Sequence, residues 1–152
     1  MNREILFRAK RLDTGTWVES GIAFSVAAED DDEERGFVAV GFDYNGMNEP
    51  YNFYTLEVDP ATIGQFTGMT DKNSKKIFEG DVVRFEDYCC VEKITTIAMG
   101  FVFFYDAEFG IEQISGIDKG WMNSFYGPDG KEFLWNELEI IGNIHDNPEL
   151  TK

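Results

Sequence analysis

The fold of this chain is decided by the stretch TGMTDKNSKKIFEGDVVRF, residues 67–85. A polar run, residues 71–76, separates two segments in which apolar residues are frequent. Asp, Asn and Ser favour turns because their side chains hydrogen-bond to the nearby backbone. A phosphate-binding P-loop needs a glycine-rich loop that runs into a helix, and no helix start follows these lysines. We therefore predict a β-hairpin whose tip is formed by residues 71–76.

A second bend is predicted at Glu79-Gly80-Asp81. Gly80 can adopt a positive φ without a Cβ penalty, and Asp81 can accept hydrogen bonds from the exposed amides of a tight bend. Paired carboxylates can also perform acid–base chemistry, but the sequence places no substrate group or third residue beside these two. Gly80 and Asp81 are therefore predicted to form a structural turn.

Alternation of apolar and polar residues extends in both directions from this stretch and indicates strands. Before it, Asp13-Thr14-Gly15 predicts a hairpin turn between the first two strands. After it, residues 89–106 are rich in the β-branched and aromatic residues that favour strands. The pattern predicts a mainly β fold of small-barrel or sandwich type.

The length of 152 residues fits one domain, or one domain with a substantial arm, and the 43% of hydrophobic residues exclude a disordered chain. We predict an N-terminal β region in residues 1–60, either separate or sharing one core with a C-terminal β region in residues 61–152. No apolar run approaches the roughly 20 residues that cross a bilayer, and charges interrupt the N-terminus where a signal peptide needs an apolar core. The protein is predicted to be cytoplasmic, without membrane contact.

The charge is strongly negative: 29 acidic residues face 13 basic ones, for a formal net charge of −16. Proteins that bind nucleic acid need a basic surface, so direct binding of nucleic acid is not expected. A negative net charge is consistent with three roles: keeping the protein soluble, binding a basic protein partner, or mimicking the charge of DNA. The acidic run from Glu29 to Glu34 predicts a solvated loop, because neither Asp30 nor Asp31 starts a calcium-binding register with a carboxylate at its twelfth position.

Catalytic and metal-binding constellations are missing from the sequence. His145 is the only histidine, which excludes sites that need two imidazoles. Cys89 and Cys90 are adjacent, so a disulfide between them would be strained. A serine, Cys89 or Cys90 could serve as a nucleophile paired with His145, but the sequence lacks the flanking motifs of such sites. We expect no enzymatic activity, no cofactor and no metal.

Several large side chains lie together in the short segment GWMNSFYG, residues 120–127, with Trp135 nearby in sequence. The candidates for interaction are Trp121, Met122, Phe125, Tyr126 and Trp135. Large rings and Met favour both cores and protein–protein hot spots. We expect most of them to pack in the core and some to face a partner, since self-association is one way to cover edge strands.

Three segments carry a family resemblance: REILFRAKRLDTGTWVESG (3–21), TIGQFTGMTDKNSKKIFEGDVVRF (62–85) and WNELEIIGNIHDNPEL (135–150). In this order they resemble the YopX family of phage and prophage proteins, in which a glycine usually stands at the position of Ser74. The resemblance implies an SH3-like or pseudo-barrel C-terminal part, a bacterial host cell, and assembly into rings or other homo-oligomers. It supplies no catalytic residues.

The predicted function is that of an uncharacterised phage or prophage accessory protein that acts through protein–protein contacts. The expected partners are further copies of the chain, or a host protein. The alternative is an acidic decoy that mimics DNA and occupies a host nucleic-acid-binding protein. An enzyme would instead need a pocket that gathers His145, or Glu79 and Asp81, with other polar groups.

Overall fold

The computed structural model describes residues 4–27, 34–43, 52–89, 92–116, 119–120, 122–124 and 137–151. The chain divides into two compact units, Met1–Gln65 and Phe66–Lys152. Within the described ranges the strands are β1 Phe7–Lys10, β2 Trp17–Ser20, β3 Ala23–Ala27, β4 Glu34–Asp43, β5 Asn52–Val58, β6 Gly64–Thr70, β7 Lys76–Phe78, β8 Asp81–Cys89, β9 Ile94–Tyr105, β10 Glu108–Ser115, β11 Met122–Ser124 and β12 Glu139–Asn143. Short 3-10 turns span Pro60–Thr62 and Pro148–Thr151. The prediction of a mainly β fold is confirmed.

The first unit contains a hairpin and a three-stranded antiparallel sheet. β1 pairs with β2, and the turn between them uses Gly15 at a φ of 67°, so the hairpin predicted there is confirmed. The sheet has the order β3-β4-β5. Its inner face contributes Val38 and Val58 to a fully buried core with Ala9 of β1. Of the predicted acidic loop, residues 29–33 lie outside the described ranges, and Glu34 begins β4.

The second unit is built on a five-stranded antiparallel sheet with the order β11-β10-β9-β8-β12. One face of this sheet supplies most of a single apolar core, whose buried members are Ile77, Val83, Phe85, Ala98, Val102, Phe109, Ile111 and Leu138. The SH3-like or pseudo-barrel arrangement stays a prediction, as does the boundary after residue 60.

Candidate interaction surface

The tip of the β6–β7 hairpin is organised by the carboxylate of Asp71, which is 4% exposed. Its Oδ1 accepts hydrogen bonds from the main-chain N–H of Asn73 (2.8 Å) and of Lys75 (2.9 Å). Its Oδ2 accepts one from the N–H of Ile140 in β12 (3.2 Å). β6 and β7 are antiparallel, so the predicted hairpin is confirmed. Its polar tip therefore connects the hairpin to one distant strand, β12.

The pKa of Asp71 lies below its ordinary value. Burial disfavours the charged carboxylate and by itself raises the pKa, but the hydrogen bonds from the N–H groups of Lys75, Ile140 and Asn73 outweigh it. The carboxylate is therefore stabilised in its ionised form, as expected for a group that caps main-chain donors.

Ser74 occupies a left-handed conformation at this tip, with a φ of 63°. That conformation costs a residue with a Cβ about 1–2 kcal/mol, whereas glycine adopts it freely at an entropic cost of about 0.5–1 kcal/mol in the unfolded chain. We expect Ser74→Gly to raise the free energy of unfolding by about 0.5–1 kcal/mol, measured by urea titration.

The matched control is Lys75→Gly, one residue further along the exposed tip, where φ is not positive. Glycine at that position brings its entropic penalty without relieving strain, so stability should fall. Equal effects of the two substitutions would contradict the strain that we assign to Ser74.

The bend between β7 and β8 uses Gly80 at a φ of 82°. The Gly80 N–H donates to the carbonyl of Val102 (2.8 Å), and its carbonyl accepts from the N–H of Ile144 (2.9 Å). Asp81 is 1% exposed, and its Oδ2 accepts from the N–H of Phe78 (2.8 Å). These contacts connect the bend to the central strand β9 and to the turn after β12.

His145 lies beside this bend. A Cβ built on Gly80 would be 3.7 Å from the His145 Nε2 atom, and the main-chain N–H of His145 donates to Asn143 Oδ1 (2.9 Å). The buried Asn143 Nδ2 has no hydrogen-bond partner among the described residues. The described residues also contain no group of three or more His, Cys, Asp or Glu side chains that could hold a metal ion.

The aromatic candidates Trp121, Phe125, Tyr126 and Trp135 lie outside the described residues, so their role in core or interface stays a prediction. Met122 begins β11, where its backbone is paired with Glu112 of β10.

An apolar surface that the sequence did not single out runs along β9. We call it the β9 stripe; its members are Ile97, Met99, Phe101, Phe103 and Tyr105. Side chains alternate along a strand, so the stripe faces away from the core residues Ala98 and Val102. Ile97 and Tyr105 at its two ends are 60% and 63% exposed, and the three residues between them are half-buried.

The rings of the β9 stripe contact one another: the centroids of Phe101 and Phe103 lie 6.2 Å apart, and those of Phe103 and Tyr105 lie 6.5 Å apart. The sequence signal for this surface is an apolar run at both odd and even positions of the strand. Such a run is typical of a strand covered on both faces. Here one face meets the core and the other is partly open to solvent.

A groove of about 450 Å³ adjoins the Ile97 end of the stripe. Its lining residues are Lys72, Arg84, Phe85, Glu86, Ile97, Glu137 and Glu139. The Glu139 carboxylate accepts hydrogen bonds from Lys72 Nζ (2.7 Å) and from Arg84 Nη2. The hydrogen bond from Lys72 and then that from Arg84 lower the pKa of Glu139. An apolar strip beside a charged rim is the composition of a protein–protein interface.

No helix among the described residues is long and apolar enough to span a membrane. The fold and this surface define the chain as a small antiparallel β protein with an apolar, partly exposed sheet face. The family model described as YopX protein matches residues 6–152, so the chain belongs to the YopX family.

The fold is also similar to that of a solved structure, protein EF1440 from Enterococcus faecalis. The TM-score is 0.51 at 22% sequence identity, over 97% of this chain and 98% of that chain. No curated protein matches the chain.

Proposed function

We propose that this protein is a non-enzymatic phage or prophage accessory protein that acts through protein–protein contacts in the cytoplasm of a bacterial host, as a homo-oligomer. The observation that carries the proposal is the β9 stripe, with Ile97 and Tyr105 at least 60% exposed at its ends. Membership of the YopX family and the resemblance stated above support the phage context.

The chemistry of the stripe supports a protein partner. Aromatic rings and Met are enriched in the buried centre of interfaces, where they contribute most of the binding energy. The groove beside Ile97 adds charged groups of both signs, which set orientation and exclude wrong partners. Contiguous apolar surface on a chain with a net charge of −16 is otherwise unfavourable, because it stays in contact with water.

The hydrogen bonds of three carboxylates support the absence of catalysis. Asp71 accepts from three main-chain N–H groups, and Asp81 accepts from the N–H of Phe78. Glu139 is held by Lys72 and Arg84. Carboxylates that accept such hydrogen bonds stabilise turns and strand ends, whereas a general acid must offer a proton, and a general base an open lone pair, to the substrate.

The test is Ile97→Asp, which places a charge where the apolar β9 stripe meets the groove. We expect at least about a tenfold weaker association, because an unpaired charge must be desolvated in the interface. Self-association is measured by light scattering after gel filtration at micromolar concentration, and host partners are measured by affinity capture at low and high salt.

The control is Ile94→Asp, an apolar residue of the same strand that is 44% exposed and lies on the face opposite the stripe. A wild-type protein that is monomeric and captures no protein would overturn the proposal, as would equal association of Ile97→Asp and wild type. Capture of one nucleic-acid-binding host protein that is lost at high salt would favour the DNA-mimic alternative, because charge-driven binding is screened by salt.

A further inference from the structure

We propose that β3 pairs edge to edge with β3 of a second copy of the chain, so that two three-stranded sheets join into one across a twofold axis. The inference rests on the proposed function in one respect, that the protein is a homo-oligomer. It identifies a different surface from the β9 stripe, in the first unit, and it names the contact that joins the copies.

The first argument is the free backbone edge. β3 is the end strand of the sheet β3-β4-β5. The N–H of Ala39 in β4 donates to the carbonyl of Ile22 (3.1 Å), which sets the alternation of the antiparallel ladder. The carbonyl of Ile22, whose N–H donates to Ser20 Oγ (3.1 Å), and the main-chain groups of Phe24 and Val26 therefore point toward β4. Those of Ala23, Ser25 and Ala27 point away from the sheet, and no strand of the described ranges pairs with them.

The second argument is the row of apolar side chains beside that edge. Ile22, Phe24 and Val26 share one face and are 50%, 41% and 48% exposed. The ring of Phe24 stacks on that of Phe37 in β4, with centroids 5.5 Å apart and an interplanar angle of 25°. The opposite face of the same strand carries Ala23, which packs against the buried core.

The third argument is charge. Residues 21–28, GIAFSVAA, contain no charged side chain in a chain whose net charge is −16. Soluble proteins protect an exposed edge strand with Lys, Pro or an inward-pointing charge, and this one has none of them. A twofold contact brings the same surface from each copy together, so two uncharged β3 strands pair without repulsion between like charges. A second copy is therefore the partner that fits.

The backbone geometry also defines a register. If the outward groups of Ala23 exchange hydrogen bonds with those of Ser25 in the second copy, Phe24 lies opposite Phe24 on the axis. Ile22 then lies opposite Val26. Both pairs occupy non-hydrogen-bonded positions, where opposing Cα atoms are about 4.5 Å apart and side chains are closest. The apolar rows of the two copies then lie side by side, and each side chain is partly shielded from water by its neighbour across the axis.

The first experiment measures the mass of three variants by gel filtration with light scattering at micromolar concentration. Ser25→Pro removes an outward N–H and leaves the bonds to β4 in place, and Phe24→Lys puts two like charges face to face. We expect both to weaken self-association at least about tenfold. Leu12→Lys, at a 60% exposed apolar residue of the β1–β2 turn, is the matched control and should associate as the wild type does.

The second experiment fixes the register. Phe24→Cys in a Cys89→Ser, Cys90→Ser background should form a covalent dimer under mild oxidation, because the two sulfurs face each other across the axis. Leu12→Cys in the same background should stay uncrosslinked. Formation of the disulfide reports on the folded protein, because the substitution retains the native backbone. Circular dichroism of every variant checks that the fold is intact.

The outcomes separate the two proposals. Oligomers that persist unchanged in Ser25→Pro and Phe24→Lys, with no link through position 24, would overturn the β3 contact and leave the homo-oligomer in place. A wild-type protein that is monomeric at micromolar concentration would overturn the homo-oligomer and the β3 contact together. Loss of association in Ile97→Asp alone would assign self-association to the β9 stripe instead.

Discussion

Replacing Gly100 with alanine is expected to lower the free energy of unfolding of the second unit by about 3 kcal/mol or more. A Cβ built at this position of β9 would lie 2.3 Å from Ile111 Cγ2 and 2.6 Å from the carbonyl oxygen of Glu112. The side chain of Ile111 could change rotamer, but the carbonyl belongs to the paired strand β10. Relief therefore requires β9 and β10 to separate, which disturbs the core around Val102 and Ile111.

The measurement is urea unfolding followed by circular dichroism, with the midpoint compared between variant and wild type. Gly21→Ala is the control, because the nearest atom to its new Cβ is the carbonyl oxygen of Ile5 at 3.8 Å, an ordinary contact. A Gly100→Ala midpoint equal to that of the wild type would show that the two strands do not approach as closely as the structure places them.

The second large effect is expected for Asp71→Ala. Three main-chain N–H groups, those of Asn73, Lys75 and Ile140, lose their acceptor. Hydrogen bonds to a charged group each contribute about 1.5–3 kcal/mol, but water can replace part of them at the exposed tip, so we expect a loss of about 3 kcal/mol. Asp13→Ala is the control: its carboxylate pairs with Arg11 at the surface, where water and salt screen the attraction, so little change in stability is expected.

The pH dependence of stability tests the same contacts. The pKa of Asp71 is lowered by folding, so the folded state binds fewer protons than the unfolded state near that pKa. Its stabilisation is complete above the unfolded pKa of about 3.9 and is lost as the pH falls through the lower folded pKa. The stability difference between the wild type and Asp71→Asn should therefore shrink in acid. A difference that is constant from neutral pH to below pH 3, roughly one unit under the unfolded value, would contradict this account.

Asp71 and Lys72 also shape the proposed surface. Asp71 connects the hairpin tip to β12, and the neighbouring Lys72 N–H donates to the carbonyl of Leu138 (2.9 Å). This connection holds Lys72 within reach of Glu139 in the groove beside Ile97. The polar run of residues 71–76 is thus a structural anchor, and under the proposed function it positions the charged rim of the β9 stripe.

The sequence by itself determined what depends on neighbouring residues. The strand alternation, the tight turns at Gly15 and Gly80, and the hairpin tip after Asp71 follow from side-chain periodicity and backbone preferences within a few residues. The motif order also indicated the YopX family, which the match over residues 6–152 established. Even the strain at Ser74 could be anticipated, because a turn position that usually holds glycine implies a left-handed conformation.

Only the tertiary structure decided which contacts join residues far apart in the chain. The bond from the N–H of Ile140 to Asp71 spans 69 residues, and that from Lys72 to Glu139 spans 67. The apolar run of β9 and the neutral strand β3 read as ordinary strands in sequence. Whether a strand lies at the centre or the edge of a sheet, and which of its faces is covered, depends on the order in which strands pair. That order is set by the packing of the whole core, which no local pattern encodes.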